Sequence, residues 1–216
     1  MYDYILFDLD GTLTDPEIGI TNGVMYALEK FGIKVSDRKE LYCFIGPPLV
    51  DAFMKYYGFS NEDALQAVVY YREFFSVTGI YQNEIYSGVE DMLKQLKNAG
   101  KTLILATSKP QKFAEIVLDY FNIAKCFDCV VGATFDGKLN YKADVIAVAL
   151  ERGGVTDKNK SIMIGDRHHD IDGAKQNGLK SMGVLYGFGD IDELQTAGAD
   201  YIAESPQEIC KILLND

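Results

Sequence analysis

Short apolar runs recur along this chain, each followed by a stretch of helical periodicity, and this alternation restricts the fold more than any other feature. The spacing predicts strands over Tyr4 to Asp8, Thr102 to Ala106, Cys129 to Gly132, Ser161 to Gly165, Lys180 to Leu185 and Tyr201 to Ala203. Helices are predicted over Val89 to Asn98, Gln111 to Phe121, Lys142 to Glu151, Ile171 to Asn177 and Pro206 to Leu214. Asn98-Ala99-Gly100 and Asn177-Gly178 place glycine where a helix ends in a left-handed residue. Nearly continuous apolar strands imply burial on both faces. The fold class that follows is α/β, a Rossmann-like doubly wound parallel sheet.

One segment breaks the alternation. Between the first two strands the chain is patterned for helices only, over Ile18 to Phe31, Pro48 to Tyr57 and Asn61 to Thr78. The expected division is a core of residues 1–14 and 85–216 with a helical domain of residues 15–84 inserted at the carboxyl end of strand one. Ligands bind at that end of open α/β sheets. A lobe inserted there is either a lid that excludes water or a decoration.

With 32 acidic against 21 basic residues the formal charge is −11, and no Lys/Arg-rich run occurs. Nucleic acid and anionic membrane are therefore excluded as expected partners. An anionic substrate would need local cations to overcome the overall field. Met1-Tyr2-Asp3-Tyr4 does not resemble the start of a secretory signal, so a cytoplasmic location is expected. Cys126 and Cys129 form a C-x-x-C, but Cys43 and Cys210 supply no second ligand pair. Free thiols around the Val130-Val131 strand are expected.

Four groups of residues carry chemistry. Asp8 and Asp10 flank Leu9 before Gly11, so two carboxylates meet at a sheet end. The pair reads either as an acidic capping turn or as a dyad that needs a cation or a proton, and Mg²⁺ is a hard, oxygen-seeking candidate. Thr107 and Ser108 follow the second core strand and precede a helix beginning near Pro110, which makes an anion site or a simple N-cap. Lys142 opens a helix at the end its charge disfavours, either as a counter-ion or as a surface lysine. Asp166 follows a buried strand and Asp170 lies four residues on, able to hold Lys142 or a metal-bound water. His168 and His169 point about 100° apart on a helix and make a poor bidentate pair. A parallel sheet would gather all four groups at one edge.

In order and spacing, Asp8-Leu9-Asp10-Gly11-Thr12, Thr107-Ser108, Lys142 and Gly165-Asp166 with Asp170 resemble the motifs of the haloacid dehalogenase superfamily. The resemblance spans essentially the whole chain and implies a magnesium-dependent phosphatase with a helical cap. It implies Asp8 as nucleophile and Asp10 as acid and base, with metal held by Asp8, Asp166 and the Asp10 backbone carbonyl. Thr107, Ser108, Lys142 and Gly11 would hold phosphate, and Asp170 would support. Tyr141-Lys142-Ala143 lacks the proline many relatives carry after this lysine.

Asp10 separates the chain from dehalogenases, which lack the second acid. A β-phosphoglucomutase-like phosphomutase shares every core motif. Lys30, Lys34, Arg38, Lys39, Lys55 and Arg72 form no obvious clamp for a second phosphate. A non-catalytic binding module would be expected to lose Asp8, Asp10 or Asp166. Gly46, Pro47 and Pro48, within Phe44 to Leu49, are expected to form a rigid substrate-specificity loop that enters the site, and the segment resembles the phosphoglycolate phosphatase-like branch, especially its 5′-nucleotidases. The implied substrate is a small phosphorylated metabolite, a nucleoside 5′-monophosphate or a phosphoacid. Phe53, Tyr56 and Tyr57 are placed either to stack a base or to fill the helical domain's core.

Overall fold

Four residues, Tyr4–Phe7, make the central strand β1, and Ile5, Leu6 and Phe7 are fully buried. The computed structural model describes residues 1–214, in two units: 1–15 with 85–214, and 16–84. The boundary falls one residue beyond the expected one, after Asp15 instead of Thr14. Short strands β2 (Thr14–Asp15) and β3 (Glu84–Ile85) stand where the chain crosses between the units.

The larger unit continues β1 with α4 (Val89–Asn98), β4 (Thr102–Pro110), α5 (Gln111–Tyr120), β5 (Cys129–Ala133) and α6 (Lys142–Arg152). It ends with β6 (Ser161–Gly165), α7 (His168–Gln176), β7 (Lys180–Val184), α8 (Ile191–Ala197), β8 (Tyr201–Ala203) and α9 (Pro206–Leu214). Its six strands run parallel in the order β5-β4-β1-β6-β7-β8, so the doubly wound α/β fold is present. Phe7 pairs with Leu105 on one side and Ile164 on the other. Asp8 and Asp166 thereby follow adjacent strands at one carboxyl edge, where Thr107 stands two residues beyond Leu105 in β4. One face of the sheet buries Leu6, Ile104, Val131 and Met163 against Val145, Ile146, Ala149 and Ala174.

Gly100 and Gly178 take φ of +75° and +73°, and end their helices as the sequence predicts. α5 begins at Gln111, as the sequence predicts, with Pro110, the last residue of β4, extended at ψ 130° as its N-cap. α8 was not expected, although Asp190 caps it by accepting from Glu193 N and Gly198 ends it at φ +77°. Only seven residues long, it has too short an apolar pattern to stand out.

The smaller unit comprises α1 (Glu17–Lys30), a 3₁₀ segment Arg38–Phe44, α2 (Leu49–Tyr57) and α3 (Asn61–Phe75). α1 and α3 pack closely: a Cβ on Gly23 would lie 2.7 Å from the Tyr71 ring. Phe44 packs on Phe53 at 4.9 Å, and Phe53 stacks on Phe59 at 5.7 Å. Phe53 is fully buried, so it belongs to the unit's core, whereas Tyr56 is 46% exposed. Gly46 (φ +105°) and Pro47 lead to Pro48, the N-cap of α2.

Asp128, just before β5, accepts from Leu103 N at 2.8 Å and Lys97 Nζ at 2.7 Å, tying β5 to β4. Burial raises its pKa, but the Lys97 and Leu103 hydrogen bonds outweigh it and hold the carboxyl below its usual range. We predict that Asp128→Ala lowers urea stability by about 1 kcal/mol at pH 7. A depressed folded pKa means the contribution is full above the unfolded carboxyl value, about 4, and is lost as pH falls through the lowered one. The deficit should therefore vanish in unfolding curves taken at progressively lower pH.

Candidate active site

Lys142, the first residue of α6, is buried with its side chain 4% exposed, which removes the surface reading. Its Nζ lies 2.8 Å from Asp8 Oδ1 and 2.8 Å from Asp170 Oδ1, and donates to Ala106 O at 3.2 Å. Burial alone would lower the lysine's pKa, but Asp170 and Asp8 outweigh it and hold the ammonium firmly protonated. Asp170 thus takes the first of its two expected roles, as the partner of Lys142. Its other oxygen accepts from Arg167 N at 3.2 Å, capping α7.

Asp8 Oδ1 also accepts from Leu9 N at 2.8 Å. Among the described residues, Oδ2 takes no protein hydrogen bond, so one oxygen is anchored and the other is available. Asp166 accepts from Phe188 N at 2.8 Å and Thr12 Oγ1 at 3.4 Å, and makes no ion pair among the described residues. Burial first, and then Asp170, push its pKa well above the usual carboxylate value.

Oxygens of Asp8, Asp166 and Asp170, all buried, lie within 4.8 Å of one another. Unit charges about 4 Å apart interact by about 4 kcal/mol at an effective dielectric of 20. Lys142 reaches two of the three acids, and among the described residues Asp166 has no ion pair. This all-oxygen set fits a hard divalent ion such as Mg²⁺ or Ca²⁺. The side chain of Asp10 lies outside it.

Asp10 instead meets Lys109, with Nζ at 3.0 Å from Oδ1 and 2.8 Å from Oδ2. Burial raises the Asp10 pKa above the ordinary carboxylate value, against the lowering by Lys109. The side chains of the two acids thus meet different lysines, Asp8 with Lys142 and Asp10 with Lys109. Lys109 was not anticipated, because lysine after Thr107-Ser108 carries no periodic signal.

Thr107 is 1% exposed, and its hydroxyl accepts from Lys109 N at 3.2 Å, leaving its own proton to donate. Ser108 is half-buried and makes no side-chain cap on α5. Gly11 corrects an expectation. Its amide is committed to Thr14 O at 2.8 Å and is not offered to an anion. It has φ +83°, and a Cβ there would lie 2.2 Å from the Asp166 carboxylate. Glycine is needed for close approach, and Gly187 opposite would place a Cβ 2.3 Å from Gly11 O.

The loop after β7 supplies further residues that the sequence did not flag. Tyr186 donates to Thr12 O at 3.0 Å and meets the Tyr86 ring at 5.1 Å. Burial raises both phenol pKa values, so both stay protonated. His168 pairs with Asp172 at 3.1 Å, and neither His168 nor His169 joins the acid cluster. The four cysteines are free thiols, and none joins a metal-ligating group among the described residues. Gly46, Pro47 and Pro48 lie in the 16–84 unit.

The family model for haloacid dehalogenase-like hydrolase matches residues 5–184. The chain belongs to that family. This hydrolase is 45% identical over 194 residues to a 5'-nucleotidase of Pseudomonas aeruginosa, covering 90% of this chain and 87% of that protein. It is 36% identical over 188 residues to Tyrosine-protein kinase PtkA of Mycobacterium tuberculosis, covering 87% of this chain and 64% of the relative. Among solved structures, one described as a predicted phosphatase from Clostridium acetobutylicum superposes with a TM-score of 0.97. That match is 48% identical and covers 100% of both chains. No helix among the described residues is long and apolar enough to cross a membrane.

Replacing Lys142 by methionine leaves the buried carboxylates of Asp8 and Asp170 without their ammonium. We predict a loss of about 3–5 kcal/mol in urea unfolding with chelator present. Lys142→Arg, which keeps the charge, should lose less.

Proposed function

We propose that this haloacid dehalogenase-type phosphatase removes the phosphoryl group from a small phosphomonoester by covalent transfer to Asp8. The observation that carries the reading is the division of labour at the sheet edge. Asp8 is anchored through one oxygen beside Lys142, Asp166 and Asp170, while Asp10 stands apart on Lys109.

The free oxygen of Asp8 attacks phosphorus, and the bond from phosphorus to the ester oxygen breaks. Asp10 gives that oxygen its proton, in keeping with a raised pKa. Water then attacks the aspartyl phosphate and passes a proton to Asp10, and the carboxylate of Asp8 is restored. Thr107, Ser108 and Lys142 hold phosphoryl oxygens, whose charge the acidic chain would otherwise repel. Asp8 and Asp166, with the Asp10 backbone carbonyl, would hold Mg²⁺, and Asp170 supports Lys142. Bound there, the ion would neutralise charge on the phosphoryl group. The similarity to a 5'-nucleotidase supports a nucleoside 5′-monophosphate as substrate, ahead of a phosphoglycolate-like acid.

Hydrolysis of a phosphate-ester panel, with and without Mg²⁺, tests the reading. Release should require the metal, favour nucleoside 5′-monophosphates and fall at least about 10³-fold in Asp8→Asn. Turnover that survives the substitution would remove Asp8 as nucleophile. Faster conversion of β-glucose 1-phosphate to its 6-phosphate than to free phosphate would favour a phosphomutase.

Metal binding has a separate readout. Mg²⁺ at about 100 times its dissociation constant should stabilise the native protein by about 2.7 kcal/mol in urea unfolding. Asp166→Asn should reduce that increment sharply. An unchanged increment would place the ion elsewhere.

A further inference from the structure

Lys109 stands two residues beyond Thr107, its side chain 4% exposed and its ammonium against both oxygens of Asp10. The register of β4 against β5 slips between Thr107 and Pro110. Such irregularities re-aim side chains. The Lys109 amide is held at the same place by the Thr107 hydroxyl, 3.2 Å away. Backbone and side chain are thus both fixed.

An aspartate carboxyl is otherwise loosely set, since its χ2 torsion is broad and roughly two-fold. Contact with both oxygens, at 2.8 and 3.0 Å, fixes the plane of the Asp10 carboxyl. It also keeps Asp10 from turning toward Lys142, whose ammonium Asp8 and Asp170 already share.

We propose that Lys109 is the positioning residue of the proton donor, orienting Asp10 toward the leaving oxygen, and is not a ligand of the phosphoryl group. The inference rests on the reading of Asp10 as acid and base. Lys109 acts only through Asp10, so its importance scales with how much the leaving group needs a proton. An alkoxide needs one to depart, whereas p-nitrophenolate does not. A lysine that held the phosphoryl group would matter equally for both.

The experiment measures kcat/KM of Lys109→Met for an alkyl phosphomonoester and for p-nitrophenyl phosphate. This ratio reads only the steps through departure of the leaving group, so the later work of Asp10 on water does not enter. The alkyl ester should lose about 10²- to 10³-fold, the scale of general acid catalysis, and the aryl ester less than about tenfold. Lys109→Arg should restore much of the alkyl rate. Asp10→Asn should show the same split, and adding Lys109→Met to it should cost nothing more.

Equal losses on both substrates, or no loss on either, would overturn the proposal. If Asp10→Asn shows no split, the reading of Asp10 fails first and this inference with it. If Asp10→Asn splits and Lys109→Met does not, the inference alone fails. Should Lys109→Met not fold, Lys109→Gln, which keeps a donor for the carboxyl, replaces it. A smaller split of the same sign is then expected, and equal losses again overturn the proposal.

Discussion

The ammonium of Lys142, 2.8 Å from both Asp8 and Asp170, is the contact on which the rest of the site depends. Three carboxylates within 4.8 Å of one another cannot all be ionised in a buried place without a cation. Lys142 provides that charge from the first turn of α6, where the helix dipole disfavours it. The dipole penalty is about 0.3–1 kcal/mol, whereas breaking a buried ion pair costs about 3–5 kcal/mol. The pairs therefore decide the placement. Local helix chemistry yields to the sheet edge.

That edge is assembled by backbone topology before any side chain is chosen. β1 lies between β4 and β6 with matched registers, so the residues that leave these strands emerge side by side. Closeness is then limited by bulk. Gly165 would place a Cβ 2.1 Å from the Asp170 carboxylate, as Gly11 would against Asp166. Glycine at these points lets backbone and acid pack without the strain a side chain would bring. The acidic cluster and the glycines around it form one packing unit. Phe188 N closes it by bonding Asp166 from the loop after β7.

Much of this was legible in the sequence, and for definite reasons. Apolar runs such as Ile162-Met163-Ile164 are buried on both faces, so strand pattern and motif order together placed Asp8, Thr107, Lys142 and Asp166 at one edge. What escaped was whatever depends on side-chain direction. The spacing of Asp8 and Asp10 did not show that their carboxylates turn to different lysines. Lys109 lies in a local slip of register that no periodicity records. The Gly11 amide, expected to face an anion, is turned back on Thr14 O by a tight loop. Tyr86 and Tyr186 meet through separate loops and share no motif.

In an acidic chain of net charge −11, two buried lysines at the site give Asp8 and Asp10 separate partners. The covalent role of Asp8 is the centre of that account. Its direct test is rapid quenching during turnover of a nucleoside 5′-monophosphate, borohydride reduction of the trapped acyl phosphate, and peptide mapping. Reduction confined to Asp8, and absent without substrate, is the predicted result. Modification at another carboxylate, or none while phosphate is being released, would contradict it.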